Sequence, residues 1–254
     1  MLQKLFDQSY ITLIFHLLEY LIIAGILFVI FYIGFRKTFK RNKIQNRKQK
    51  KNDFLREIKY SLVTILMLSF MWVMVVATPL RNYTLLYNEI TLLSGLWILP
   101  SIIIALFIHD TYFYWMHRLL HQPSLFSRFH LIHHRSSNPS PWASYSFHIG
   151  EAFTESLIIP ILAFILPMHE ISLLLFSMSA FTINAYGHLG YEIAPKWFRK
   201  SFLFNYINSS VHHNMHHRYS NVNYGLYFRF WDKIMGTESP HYVKKYDKIQ
   251  EKRF

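Results

Sequence analysis

The chain has 254 residues, room for one large domain or one polytopic membrane unit but not for that plus a second full domain. Hydrophobic residues make up 52% and charged ones 16%, against about 25% charged in an ordinary soluble domain, so much of the surface faces something other than water. These proportions exclude disorder, collagen and coiled coil, and the lack of cysteine excludes a disulfide scaffold, a thiolate zinc site, an iron–sulfur cluster and a cysteine nucleophile.

Residues 10–35 form an apolar stretch longer than the roughly 20 residues a helix needs to cross a bilayer. It exceeds a signal-peptide core and no small-residue cleavage site follows, so it is expected to be retained. Residues 36–51 carry nine Lys or Arg and no acid. Between two apolar spans, such a run follows the positive-inside rule and puts this loop in the cytoplasm. Residues 60–80 then cross outward to Pro79, a short polar loop turns the chain, and residues 90–115 return. Residues 152–187 are apolar again but broken by Pro160 and by LPMHE at 166–170. A straight helix of that length would exceed about 50 Å, so a hairpin entering from the cytoplasm is expected, with arms short enough to be re-entrant. The remainder, 116–151 and 188–254, falls on the cytoplasmic side. It is too small for a large core of its own and should pack on the helix ends. The expected fold is therefore all-α, an integral membrane bundle of about four spans with a cytoplasmic helical cap. Residues 1–59 supply the first span and basic loop, and 60–254 the unit that carries function.

The 15 histidines outnumber the 14 Asp and Glu together, and 13 of them lie between 109 and 217. His16, His169 and His241 stand apart and read as structural. Three runs are concentrated: His117-Arg-Leu-Leu-His121, His130-Leu-Ile-His133-His134 and His213-Asn-Met-His216-His217, the last preceded by His212. On a helix the i, i+4 spacing of the first puts both imidazoles on one face, and in the other two i, i+3 and i+4 are expected to share a face. The number of imidazoles exceeds the needs of one metal, so two are expected; iron, copper and zinc all suit this ligand type. No HExxH is present, which disfavours a zinc protease. The runs lie at span ends rather than along the bilayer midplane, which disfavours a transporter. Redox chemistry at a dimetal centre facing lipid is the reading that remains.

The order HxxxH, HxxHH, HxxHH on a four-span scaffold resembles the fatty acid hydroxylase / sterol desaturase superfamily of membrane di-iron oxygenases. The likeness covers roughly 105–240 and extends beyond histidine. Asp110 through Arg118 is similar to the aromatic lead-in to the first box. Ser146-Phe-His148-Ile-Gly-Glu151 resembles the stretch after the second, with Ile149 where proline is common. Asn184-Ala-Tyr-Gly-His188 resembles the segment that supplies a further ligand, and Asn223-Tyr-Gly225 with Trp231-Asp232 resembles the closing motif.

The resemblance implies metal ligation by His117, His121, His130, His133, His134, His188, His213, His216 and His217. His212 is a weaker candidate, and Asn184 stands where some relatives carry another histidine. Asp110, Glu151 and Asp232 are expected to accept imidazole N–H groups, and His109 to have a supporting role. The implied activity is di-iron, O₂-dependent oxidation of an unactivated C–H bond of a membrane lipid, with hydroxylation the first expectation. Desaturation or methyl oxidation is the nearest alternative and a membrane dizinc hydrolase a distant one. Zinc is expected to substitute for iron in purified protein. No flavin or nicotinamide motif and no fused redox domain accompany the boxes. A separate electron-transfer protein of ferredoxin, cytochrome b5 or reductase type is therefore expected, and nucleic acid is not. A multi-pass protein of a bacterial inner membrane, with its histidine clusters cytoplasmic, is the expected location.

Overall fold

The computed structural model describes residues 2–254. Three helices among them are long and apolar enough to cross a bilayer. They are α1 (Leu2–Phe28, continued by a π-helical turn to Gly34), α2 (Lys51–Val76) and α3 (Leu92–Leu120). Each keeps an exposed apolar stripe: Ile11, Leu18 and Ile22 on α1, Leu55, Leu62 and Phe70 on α2, Leu92, Leu96 and Phe107 on α3. Apolar surface on this scale belongs against lipid. The opposite faces build the core. Tyr20, Ala24, Ile65 and Leu68 join one cluster, and Trp72, Val75, Ala105 and Phe113 join another with residues from the later hairpin.

The second helix starts at Lys51, ahead of the apolar span that begins at 60, because the Asp53 carboxylate accepts the Lys50 backbone N–H at 2.9 Å and caps the added turns. The boundary expected at 59/60 therefore falls inside a helix. The basic loop is not a free tail either. Gln45 Nε2 donates to the Ser137 carbonyl and to Asn214 Oδ1, and Gln49 Nε2 donates to the Asn138 carbonyl. These bonds tie it to the same end of the bundle as the histidine boxes.

Strand β1 (Leu86–Tyr87) lies in the connection from α2 to α3. Past α3 come two short helices, α4 (Pro123–Leu125) and α5 (Leu131–His134), joined by a π-helical turn over Phe126–His130. The expected hairpin follows. Its first arm is α6 (Ile149–Ser156) and α7 (Ile158–Ile165), and its tip holds strand β2 (Met168–His169). The return arm is α8 (Glu170–Gly187), whose 18 residues cover about 27 Å. The tip fixes how deep it goes: β2 pairs in parallel with β1, and Arg81 meets Glu170 at 2.9 Å. The hairpin thus reaches the far end of the bundle, level with the α2–α3 connection.

The cap is completed by α9 (Ser210–Tyr219), α10 (Phe230–Ile234) and α11 (Tyr242–Arg253). Its own core is small: Ile44, Phe198, Phe204, Val211, Met215, Tyr242, Tyr246 and Ile249. After α9 the chain doubles back, and Ser220 and Asn223 take left-handed φ of 62° and 60° to do so. That reversal lays residues 220–225 over the third histidine box.

Candidate metal centre

All nine histidines expected as ligands come together, in two groups. His117, His121, His130, His134 and His216 form the first; His133, His188, His213 and His217 form the second. Within each group the ligand-capable atoms lie within 4.8 Å of one another. The boxes do not each present one face, as their spacing suggests. A residue at i+3 lies about 100° around a helix from one at i+4. His130 and His134 accordingly turn to the first group while His133 turns to the second, and His213 and His217 turn to the second while His216 turns to the first. Each HxxHH run is shared between the groups.

The ring nitrogens converge. His117 Nε2 is 3.1 Å from His130 Nε2, which is 3.1 Å from His134 Nε2, and His216 Nε2 is 3.0 Å from His134 Nε2. In the second group His188 Nε2 is 3.3, 3.0 and 3.1 Å from Nε2 of His133, His213 and His217. The other ring nitrogen of several of these is already committed. His117 Nδ1 donates to the Tyr224 carbonyl at 2.8 Å and His130 Nδ1 to the Glu151 carboxylate at 2.7 Å. His216 Nδ1 donates to the Val222 carbonyl at 2.8 Å and His188 Nδ1 to the Asn184 carbonyl at 2.9 Å. The three carbonyls only accept, as Glu151 does when ionised beside a cationic centre, so the tautomer assigned from them leaves each Nε2 a bare lone pair. His117 and His216, each tied to a backbone carbonyl and with ring centroids 4.4 Å apart, then bring two bare lone pairs into one group with no proton to bridge them. A shared cation resolves the conflict. Nitrogens about 2.0–2.1 Å from one ion stand roughly 3.0–3.4 Å apart at ordinary coordination angles, the spacing found here. The residues present fit two metal ions.

Charge state agrees. Burial first, and the surrounding imidazoles second, hold His130, His133, His213, His216 and His217 well below the ordinary histidine value. Burial pushes His134 down to about 3. All are neutral at physiological pH, the form that binds metal.

The supporting residues divide. Glu151, fully buried at the start of α6, orients His130. Asn184 acts through its backbone carbonyl, while its side chain donates to the Ser144 carbonyl at 2.8 Å. Asp110 differs from expectation. It accepts the backbone N–H groups of Leu226, Tyr227 and Phe228 at 3.2, 2.7 and 3.2 Å and touches no ligand imidazole. Asp232 likewise holds the N–H groups of Tyr224 and Gly225, both at 2.8 Å. Both carboxylates position the 222–228 loop, so they act on the ligands through that backbone. His212 points away from both groups, packs on Tyr242 and lies 3.8 Å from Asp232. His109 bonds the Tyr227 hydroxyl at 2.9 Å. Sequence reasoning missed the carbonyls of Val222 and Tyr224 and the Ser220 hydroxyl, 3.1 Å from His134 Nδ1. The Asn223-Tyr-Gly225 motif was the available signal.

Below the centre a cavity opens between α2, α3 and the hairpin, lined by Leu68, Phe113, Phe147, Ile159, Phe176 and Leu226 among others. Phe113 and Phe147 separate it from the ligands, with ring centroids 4.8 Å from His117 and from His133 respectively. Of the aromatic run before the first box, Phe113 lines this cavity, whereas Tyr112 is tied to the Thr154 carbonyl and Trp115 is partly exposed.

Fold and site together define a helical membrane protein with a buried, nine-histidine centre suited to two metals. Residues 102–237 match the family model described as Fatty acid hydroxylase. The chain is 35% identical over 191 residues to the lathosterol oxidase of Rattus norvegicus, covering 74% of this chain and 62% of that one. It is 33% identical over 218 residues to the lathosterol oxidase of Mus musculus, covering 80% and 71%. It is 31% identical over 189 residues to a Delta(7)-sterol 5(6)-desaturase of Gibberella zeae, covering 74% and 56%. The chain belongs to the fatty acid hydroxylase family. It spans less than two thirds of the length of the rat and fungal relatives. No solved structure matches it.

Proposed function

We propose that this chain is a membrane oxidoreductase that uses two iron ions, O₂ and two externally supplied electrons to oxidise an unactivated C–H bond of a membrane lipid. The observation that carries the proposal is the pair of bare Nε2 atoms in a neutral, buried, all-imidazole centre above an apolar cavity. Bound iron would supply the reductive activation of O₂, which imidazole side chains alone cannot.

The protein's part is positional. Glu151 and the carbonyls of Tyr224, Val222 and Asn184 keep a proton on Nδ1 and so keep Nε2 free to ligate. Phe113, Phe147 and Phe176 give the cavity a mainly apolar lining, suited to receiving hydrocarbon and to keeping water from the reacting carbon. Two outcomes share this machinery. Hydroxylation consumes one O₂, two electrons and two protons and yields an alcohol and one water. Desaturation consumes the same and yields an alkene and two waters. Lathosterol oxidase and sterol desaturase are the names of the relatives, and they favour desaturation of a sterol-type lipid over the hydroxylation first expected.

Lipid mass spectrometry tests this in cells expressing wild type or His216→Ala/His217→Ala, both verified in the membrane, under ¹⁸O₂ and with a reductase supplied. A wild-type-only lipid lighter by two hydrogens and unlabelled is the expected result. A lipid gaining one ¹⁸O assigns hydroxylation. Identical lipid profiles would remove the oxidase reading and direct attention to hydrolysis with zinc.

A further inference from the structure

A second feature of the cap has no part in the centre itself. Arg47, Arg218, Lys245, Lys248 and Lys252 line one groove, with no acidic residue among its lining. Among the described residues, none of the five makes an ion pair. They come from three separate segments: the basic loop, the end of α9 and one face of α11. Along α11 the spacing 245, 248, 252 puts its lysines on one side. The adjoining side, about a quarter-turn away, buries Tyr242, Tyr246 and Ile249 in the cap. Lys245 is held below the ordinary lysine value by partial burial and then by Arg218, Lys252 and Lys248, a sign of uncompensated positive charge. Topology explains cations in the basic loop, but it does not explain why α11 adds three more to the same groove.

The groove is backed by the histidine boxes. Arg218 follows His217 directly, and Asn214, next to His213, is bonded to Gln45 in the groove wall at 2.9 Å. Ser137, three residues after His134, also lines it. The outer face of α11 is polar and charged, unlike the exposed stripes of α1 to α3, so this surface faces water rather than lipid.

We propose that the groove is the docking surface for an acidic, one-electron carrier protein, seated over the four-histidine group. The proposal rests on the oxidoreductase reading above. Each docking event would deliver one electron from the reduced carrier, itself oxidised by one electron, to the iron that the histidine groups would hold, with no atom transferred. Two successive events supply the electrons that one turnover consumes. The groove's positive field raises encounter rates and orients the carrier.

The test uses the full chain, iron-loaded, in nanodiscs of neutral phosphatidylcholine. Two acidic probes are titrated, a plant-type [2Fe–2S] ferredoxin and the soluble domain of cytochrome b5. At least one is expected to bind wild type, with affinity falling as salt rises because exposed charges are screened. The variant Lys245→Glu/Lys248→Glu/Lys252→Glu is expected to lose at least about tenfold in affinity, as opposed charges become like charges. The variant with arginine at the same three positions is expected to retain it. Iron content and helical circular dichroism of both variants report on folding. Binding of neither probe, or charge reversal in a folded variant without effect, would overturn the docking surface. So would an effect confined to nanodiscs containing phosphatidylglycerol, which would assign the groove to anionic lipid. Dithionite-driven lipid oxidation by wild type reads the underlying function separately: its absence counts against the oxidoreductase, not the groove.

Discussion

The two histidine groups use the same ligand chemistry and differ in what holds the ligands. In the five-histidine group four imidazoles are oriented through Nδ1: His117 by Tyr224, His130 by Glu151, His216 by Val222 and His134 by Ser220. In the four-histidine group His188 is held by Asn184, while Nδ1 of His213 and of His217 is buried without a partner. A ligand with a fixed tautomer and ring angle loses less freedom on binding metal, and such supporting bonds are worth roughly 10–100-fold in affinity. The five-histidine group should therefore bind its ion first and release it last. Identical side chains make unequal sites when the surrounding backbone treats them differently.

Four experiments probe that inequality, beginning with the largest effect. The double substitution His216→Ala/His217→Ala removes one ligand from each group, and lipid oxidation should fall below detection with less than one iron retained per chain by elemental analysis. Glu151→Ala should weaken the tighter site about 10–100-fold in a metal titration, leaving the weaker site within about twofold. If both sites weaken equally, the two groups are not independent. Gly225→Ala perturbs the scaffold of the tighter site alone. An added Cβ would collide with the Phe228 carbonyl and crowd the Asp232 carboxylate at 3.0 Å, displacing the turn beside Tyr224. A loss of about 1–3 kcal/mol in unfolding experiments is expected, together with preferential loss of the tighter-bound ion. Arg81→Ala is the remote control. Its partly exposed contact with Glu170 anchors the hairpin tip, so about 1 kcal/mol or less should be lost and neither metal affinity should change.

Spacing and composition exposed the scaffold of this chain before any geometry. The apolar runs predict α1 to α3 and the hairpin because long hydrophobic segments have few alternatives. The hairpin's depth was not legible, since it depends on Arg81 meeting Glu170 and on a two-residue strand pair. The start of α2 at Lys51, ahead of the apolar span, was not legible because its capping carboxylate, Asp53, sits within a charged run that reads as loop. The nine histidines stood out by repetition. Their division into five and four did not, because it turns on the angular gap between i+3 and i+4 and on which element faces each side. Glu151 and Asp110 look alike in sequence, as buried-box acids beside aromatic residues, yet one holds an imidazole and the other three backbone amides. The carbonyls of Val222 and Tyr224 carry no residue-type signal, because every residue has one and only the left-handed turns at Ser220 and Asn223 aim them.

Stepwise iron titration into metal-free protein, followed anaerobically by absorbance and elemental analysis, addresses the centre most directly. Two equal phases ending at two ions per chain are expected, with Glu151→Ala shifting only the tighter one. A single phase ending at one ion, or no saturable binding, would contradict a dimetal centre shared between the boxes.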